Sequence, residues 1–475
     1  MFQGTGSGVG KSVLVAGFCR LLRNRGLKVL PFKSQNMALN SGVTPEGLEM
    51  GRAQIVQAEA CGVSPDVRMN PILLKPQGLG VSQLIRLGKV VGKCSAREYY
   101  KMADENFQIA KKSFDSLKLE ADWIIIEGAG SPAEINLQDT DIVNMRMAEY
   151  AKAKVFLIGD IDRGGVFAWL KGTFDLVQDR HRHLFYGMLI NKFRGDISLL
   201  NPGIKKFNEI VPIPLLGVIP WREIKLEDED SQNLKSHIVP DPLVDIAVIH
   251  LPHISNFTDF EPLKHIKGIS VRFVKNISEL LDADLIIIPG SKNTLLDLNF
   301  LKDNGFYENL RNLSGKTWIL GICGGFQMLG ESVADPENFE LGGEMSGLGL
   351  FPMSTTLFGN KKLVRREYTG QNWLKGLVWT GYEIHLGRTF FNIEPEETLV
   401  RKDPTLAVIE RDKKLIGTYI HGWFENRKVV ERLLSLLTGK VFDVPVSFKE
   451  IKDREMDELS VFIEEHCDLD QILKV

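Results

Sequence analysis

Cysteine is scarce and scattered: Cys19, Cys61, Cys94, Cys323 and Cys467 are the 5 cysteines of a 475-residue chain, and none forms a Cys-x-x-Cys pair. An odd, widely spaced set argues against a disulfide framework or a cysteine-built zinc site, and it suits a reducing compartment. Long apolar runs are missing too; none approaches the ~18 residues that a membrane span needs. Glycines begin at Gly4, with no charged-then-apolar leader before them. A cytoplasmic protein with no membrane span is therefore expected. Charge of one sign is also lacking. With 58 basic and 61 acidic side chains the formal net charge is −3, which gives no global pull toward nucleic acid or an anionic membrane. No internal repeat or low-complexity tract is visible, which argues against a solenoid.

What the chain does have is alternation. Apolar, β-branched runs stand at residues 28–32, 123–127, 155–160, 186–190, 213–219, 245–251, 270–274, 284–289 and 317–322. Amphipathic stretches lie between them; Tyr99, Ala103, Phe107, Ala110, Phe114 and Leu117 recur at spacings of three and four. Strand–helix alternation predicts an α/β protein with two doubly wound, mostly parallel sheets covered on both faces. At about 150 residues per domain the length implies two or three domains. The clearest break is the acidic, aromatic-free stretch 222–242, ending in Pro240 and Pro242. The expected division is a phosphate-loop domain over 1–225, a linker over 226–243, a second α/β domain over 244–440 and a charged helical appendix over 441–475.

Gly4-Thr5-Gly6-Ser7-Gly8-Val9-Gly10-Lys11-Ser12 precedes a helical stretch at 13–25. Small residues such as Thr5, Gly6, Gly8 and Gly10 let backbone N–H groups curl around a phosphate. The helix start adds its dipole, Lys11 reaches the outer phosphates, and Ser12 can ligate Mg²⁺. Thr5 stands where the common Gly-x-x-x-x-Gly-Lys-Ser pattern has its first glycine, so a plain glycine-rich turn is the alternative. Only Met1-Phe2-Gln3 precede the loop; either its strand is very short or the true start lies upstream. Glu127, at the tip of an apolar run and followed by Gly128-Ala129-Gly130, is placed to serve as a second metal ligand. Asp160 and Asp162 repeat that arrangement one strand later, with helix capping as the alternative role.

Residues 317–330 read as strand, sharp turn and helix, with Cys323 inside Gly321-Ile322-Cys323-Gly324-Gly325. This is the thiol counterpart of a nucleophile elbow. The helix start favours a thiolate, and the Gly324 N–H is placed to receive an oxyanion. A second donor would come from the loop Pro289-Gly290-Ser291-Lys292, with Gly290 as the candidate. His421, at the end of the apolar run 415–420, is the expected base, and His385 is its rival.

Several ordered segments together resemble the glutamine-hydrolysing cobyric acid synthases of cobalamin biosynthesis: 31–40 (Pro-Phe-Lys-Ser-Gln-Asn-Met-Ala-Leu-Asn), Gly51-Arg52-Ala53-Gln54, 70–76, 127–137, 159–167, Asn191-Lys192-Phe193-Arg194-Gly195-Asp196, the cysteine elbow, 381–385 and 417–422. The resemblance spans nearly the whole chain. It implies a dethiobiotin-synthetase-like first domain and a flavodoxin-like class I glutamine amidotransferase second domain. It also implies ATP- and glutamine-dependent amidation of carboxylates b, d, e and g of adenosylcobyrinic acid a,c-diamide. ATP and Mg²⁺ would be the cofactors, Lys33 would help to offset phosphate charge, and no nucleic acid would take part; a homo-oligomer is compatible with it. Cys323 matches the family's nucleophile and His421 its catalytic histidine. Trp423 stands where many class I amidotransferases have a glutamate, leaving Glu425 as a candidate to orient the base. Ser7-Gly8-Val9-Gly10 replaces the family's usual Ser-Asp-Ala-Gly. Glu229-Asp230-Ser231 resembles a family segment that would face substrate. Two rivals stand beside this reading: the sister enzyme that amidates the a and c carboxylates, and a partition-type ATPase carrying a dead glutaminase-like domain.

Overall fold

The computed structural model describes residues 1–474 apart from Leu79, Lys225, 227–233, Asn360 and Lys402. The Glu229-Asp230-Ser231 segment therefore lies outside the described residues. In the N-terminal half, Phe2–Gly4, Val155–Asp160, Phe185–Phe193 and Leu215–Pro220 form a parallel sheet in that spatial order. Val29–Phe32 and Trp123–Ile126 pair in parallel, and a parallel bridge between Phe2 and Glu127 joins them to it. The strand before the phosphate loop is thus three residues long and central. It is held there by burial, with the Phe2 ring stacked on Phe18 at 4.5 Å. Strands buried on both faces must be apolar along their whole length, and Val155–Asp160 is buried throughout.

A separate four-stranded sheet, Gln35–Met37, Ile72–Gly78, Val81–Arg86 and Lys89–Ser95, projects from this half. No apolar run of the expected kind marks it, because its last strand is largely exposed.

The C-terminal half is built on seven strands in the spatial order Ile269–Val274, Val244–Ile249, Leu285–Ile288, Trp318–Ile322, Leu415–Thr418, Ala407–Glu410 and Glu397–Thr398. The first five are parallel and the last two antiparallel. The apolar run 415–420 does not continue as one strand. Tyr419 turns to donate its N–H to Leu406 O (2.8 Å), and Ile420–His421 crosses to pair with Val378–His385. That turn carries His421 beyond the C-terminal edge of the main sheet, the edge at which Cys323 also emerges.

The C-terminal helix Phe448–His466 opens with a Ser447/Glu450 capping box and folds back onto the first half. Its Met456, Leu459 and Ile463 join Val15, Phe18 and Leu22 of helix Lys11–Asn24 in one apolar cluster. Ion pairs flank the seam, Arg20 Nε to Asp457 Oδ1 at 2.6 Å and Lys452 Nζ to Glu59 Oε2 at 2.8 Å.

Candidate active site

Cys323 lies between strand Trp318–Ile322 and helix Gly324–Met328 with φ 52° and ψ −110°. A non-glycine residue holds such a backbone only when its surroundings over-determine it. Here the Cys323 N–H donates to Thr418 O at 2.7 Å. The next turn is pressed against a neighbouring strand: a Cβ on Gly325 would lie 2.0 Å from Ile288 O. The thiol faces Ile384 O at 3.6 Å and is buried.

The imidazole of His421 is buried, stacked on Tyr382 with ring centres 5.2 Å apart, and donates from Nδ1 to Asp259 Oδ2 at 2.6 Å. The other carboxylate oxygen of Asp259 accepts the Gly422 N–H at 3.2 Å. Burial by itself would depress the imidazole pKa. The charge and hydrogen bond of Asp259 outweigh it, Cys323 adds to the effect, and the pKa is raised to about 10. Nε2 has no hydrogen-bond partner among the described residues, and Cys323 is near enough to the imidazole to help hold its proton.

Asp259 was not anticipated from the sequence. It stands on the short 3-10 turn Phe257–Phe260, far from the histidine in the chain. Glu425 is not the orienting group: its Oε1 pairs with Arg52 Nη2 at 2.8 Å, an ion pair that joins the two halves. His385, the rival base, lies with its ring on Tyr419 at 4.1 Å. Burial holds its pKa below the usual value, against the pull of Glu383. Gly290 is next to the reacting pair, since a Cβ there would lie 3.7 Å from His421 Cε1; a Cβ on Gly324 would lie 2.9 Å from Ser291 N. Cys323, His421, Gly290 and Gly324 are thus brought together; Glu425 is held by Arg52, and His385 stacks on Tyr419 with no hydrogen bond to either ring nitrogen among the described residues.

The phosphate loop is a second, separate constellation. Gly8 and Gly10 have φ of 71° and 96°, and a Cβ on Gly10 would lie 2.4 Å from Asn191 Nδ2. Asn191 Nδ2 donates to Val9 O (2.8 Å), and Lys192 Nζ to Gly8 O (2.7 Å) and Asp160 Oδ2 (2.8 Å). Asp160 therefore anchors the lysine that ties down the loop, a role its sequence position did not announce; Asp162 pairs with Arg194 at 3.3 Å. The Thr5 N–H donates to Ile158 O at 2.9 Å. Lys11 Nζ donates to Gly6 O at 2.8 Å and Gly130 O at 3.2 Å. Glu127, fully buried, accepts Ser12 Oγ (2.8 Å) and Lys33 Nζ (2.8 Å) on Oε1 and Gln57 Nε2 on Oε2.

Ser12 and Glu127 offer two hard oxygen ligands beside the loop. No cluster of three or more His, Cys, Asp or Glu that could cage a metal occurs among the described residues. Two protein oxygens suit Mg²⁺, which keeps several waters and takes the rest of its shell from phosphates.

A cavity of about 2470 Å³ opens over this loop, well beyond the ~300–1,000 Å³ of drug-sized pockets. Lys11, Lys33, Glu127 and Lys192 line one wall; Pro252, His253 and Lys264 of the C-terminal half line another. Cys323 and His421 are not among its walls.

Residues 1–234 match the family described as CobQ/CobB/MinD/ParA nucleotide binding domain, and residues 245–429 the CobB/CobQ-like glutamine amidotransferase domain. No helix among the described residues is long and apolar enough to cross a membrane. Curated relatives match end to end. The cobyric acid synthase of Caldanaerobacter subterraneus subsp. tengcongensis is 43% identical over 496 residues, covering 100% of this chain and 98% of the relative. That of Listeria monocytogenes serotype 4b is 46% identical over 499 residues, covering 100% and 96%. A third, from Lachnoclostridium phytofermentans, is 43% identical over 505 residues, covering 100% and 98%. With both domain families in order and this identity sustained along the whole length, the chain belongs to the cobyric acid synthase family.

Proposed function

We propose that the chain transfers nitrogen from L-glutamine to the b, d, e and g carboxylates of adenosylcobyrinic acid a,c-diamide at the expense of ATP, in the cytoplasm. The observation that carries this reading is the pairing, in one chain, of a buried Cys323–His421–Asp259 constellation with a phosphate loop that opens on a cavity far larger than a nucleotide requires.

In the first half-reaction the Cys323 sulfur attacks the side-chain amide carbon of glutamine. The oxyanion is met by the Gly324 N–H and a donor from the Gly290 loop. The carbon–nitrogen bond breaks as His421 Nε2 gives its proton to the leaving nitrogen, releasing ammonia and a glutamyl thioester. Water, losing a proton to His421, then releases glutamate and restores the thiolate. Asp259 accepts the Nδ1–H and so holds Nε2, the nitrogen that exchanges the proton, toward the reacting atoms.

In the second half-reaction a substrate carboxylate takes the γ-phosphoryl group of ATP. Ammonia attacks the acyl phosphate carbon and inorganic phosphate leaves, so each amide consumes one glutamine and one ATP. Gly6, Gly8 and Gly10 cradle the phosphates by backbone N–H groups, while the Thr5 N–H stays on Ile158 O and anchors the start of the loop; Lys11 and Lys33 offset charge on the transferring group. Ser12 Oγ and the Glu127 carboxylate would hold Mg²⁺, which would supply further positive charge against the phosphates.

Because Cys323 does not line the large cavity, the nitrogen has to cross between the halves. The segment 38–43 spans that gap: Ala38 lines the cavity, and Val43 packs on Tyr382 and Ile384 beside the thiol.

The test is a mass measurement. Purified protein with ATP, Mg²⁺, glutamine and adenosylcobyrinic acid a,c-diamide is expected to add four amides and to leave cobyrinic acid itself unchanged. Amidation of cobyrinic acid instead would assign the chain to the sister activity, and no amidation of either would sink the proposal.

A further inference from the structure

Beside the cysteine elbow lies a charge cluster that the chemistry above does not use. Lys75, on strand Ile72–Gly78, is buried and donates to Ser41 Oγ (2.8 Å) and Glu49 Oε1 (3.0 Å), with a third N–H to spare. Lys361 of the C-terminal half takes the other oxygen of the buried Glu49 at 2.7 Å. Burial opposes the ionisation of Glu49, but the two lysines prevail and hold its carboxyl well below the usual range. Lys292, two residues after Gly290, has only the neutral Gln83 amide oxygen at 3.2 Å and no carboxylate within ion-pair distance among the described residues. Glu340 accepts Thr294 Oγ1 and the Leu295 N–H, both at 3.3 Å, and likewise has no cation within that distance.

Lys292 and Glu340 are each half-buried and have no ion-pair partner among the described residues. That combination fits groups lining a recess. Burial, then Lys361 and Lys75, pushes Lys292 down to about 7; burial lifts Glu340 to about 7. Two ammonium groups thus hold one firmly ionised carboxylate, and Lys292 and Glu340 stand close by with no ion pair to either among the described residues.

The cluster adjoins the nucleophile. Thr294 Oγ1, which also bonds Glu340 at 3.3 Å, would lie 3.3 Å from a Cβ on Gly324, the residue that follows Cys323. Its roof comes from the other half of the molecule. Gln77 Nε2 donates to Phe339 O (3.4 Å) and Lys93 Nζ to Asn338 O (2.8 Å), so the projecting N-terminal sheet grips the turn that carries Glu340.

We propose that this recess receives the α-carboxylate and α-ammonium of glutamine, the carboxylate on Lys292 and Lys75 and the ammonium on Glu340, so that a lysine of the ATP-dependent half completes the glutamine site. The inference rests on the glutaminase reading given above. A zwitterion meets each unpaired charge with its opposite, and it can do so only while the two halves are closed on each other.

The experiment compares the intact chain, with ATP, Mg²⁺ and corrinoid present, on L-glutamine and on L-glutaminamide, which lacks the α-carboxylate. The unaltered protein is expected to favour glutamine in kcat/KM by about 10²-fold, the scale of a lost charged hydrogen bond or two. Lys75→Met and, separately, Lys292→Met should narrow that preference to within about fivefold, by losing activity on glutamine alone. Equal use of both amides by the unaltered protein, or full discrimination retained by either variant, would overturn the inference. If Cys323→Ala hydrolyses glutamine at the unaltered rate, the underlying glutaminase reading fails instead.

Discussion

Nδ1 of His421 and Oδ2 of Asp259 stand 2.6 Å apart inside the protein, and this contact replaces the glutamate that the chain lacks two residues after the histidine. It fixes the tautomer, with Nδ1 protonated toward Asp259 and Nε2 left to exchange a proton with the reacting atoms. Asp259→Asn is therefore expected to lower kcat for glutamine hydrolysis roughly 10²-fold, the scale of a lost general acid–base contribution. The alkaline limb of the pH profile should move down from about 10, the value that Asp259 and Cys323 sustain against burial. Glu425→Gln, on the Arg52 side of the site, should leave that limb in place. A profile that shifts with Glu425→Gln and not with Asp259→Asn would reverse the assignment.

The same contact has a signature in stability. The folded-state pKa of His421 is raised from 6.5 to about 10, so the protonated form is favoured by folding. Its contribution is complete below pH 6.5 and is lost as pH rises through about 10. Thermal unfolding of the intact chain and of Asp259→Asn should differ most at pH 6.5 and converge toward pH 10. A gap that widens with rising pH would show that the imidazole is neutral in the folded protein.

Much of the architecture was legible because its physics is local. Strands covered on both faces must be apolar throughout, so 155–160 and 285–288 stand out in any reading. A cysteine between glycines at a strand–helix junction announces strain, and Gly-Lys-Ser at a helix start announces a phosphate. Asp259 was not legible, since one aspartate in a four-residue turn carries no periodicity and meets its histidine only through tertiary folding. Lys75 and Glu49 were hidden for a similar reason. Each is a charged residue that local sequence reading sends to the surface, and each is buried only because the halves meet there.

Lys192 ties the phosphate loop to its sheet through Gly8 O and Asp160 Oδ2. Lys192→Met removes both bonds, leaves Asp160 without its closest cation and frees the loop to depart from the curled backbone that receives phosphate. The KM for ATP is expected to rise about tenfold, the scale of one to two lost hydrogen bonds, with glutamine KM unchanged. Equal changes in both constants would mean that the lysine acts through the fold as a whole and not through the loop.

Gly17 tests whether the last helix is docked where the structure places it. In an isolated helix Gly17→Ala should stabilise by about 1 kcal/mol. Here the new Cβ would lie 2.3 Å from Ile463 Cδ1 and 2.9 Å from Leu459 Cγ, and overpacking of that kind costs about 1–3 kcal/mol. The expected result in denaturant titration is a net loss of stability. Ile463→Val, which deletes the clashing methyl, should be mildly destabilising alone but should recover part of the loss in combination, because the two positions touch. Were Gly17→Ala to raise stability in the intact chain, helix Phe448–His466 could not be seated against helix Lys11–Asn24.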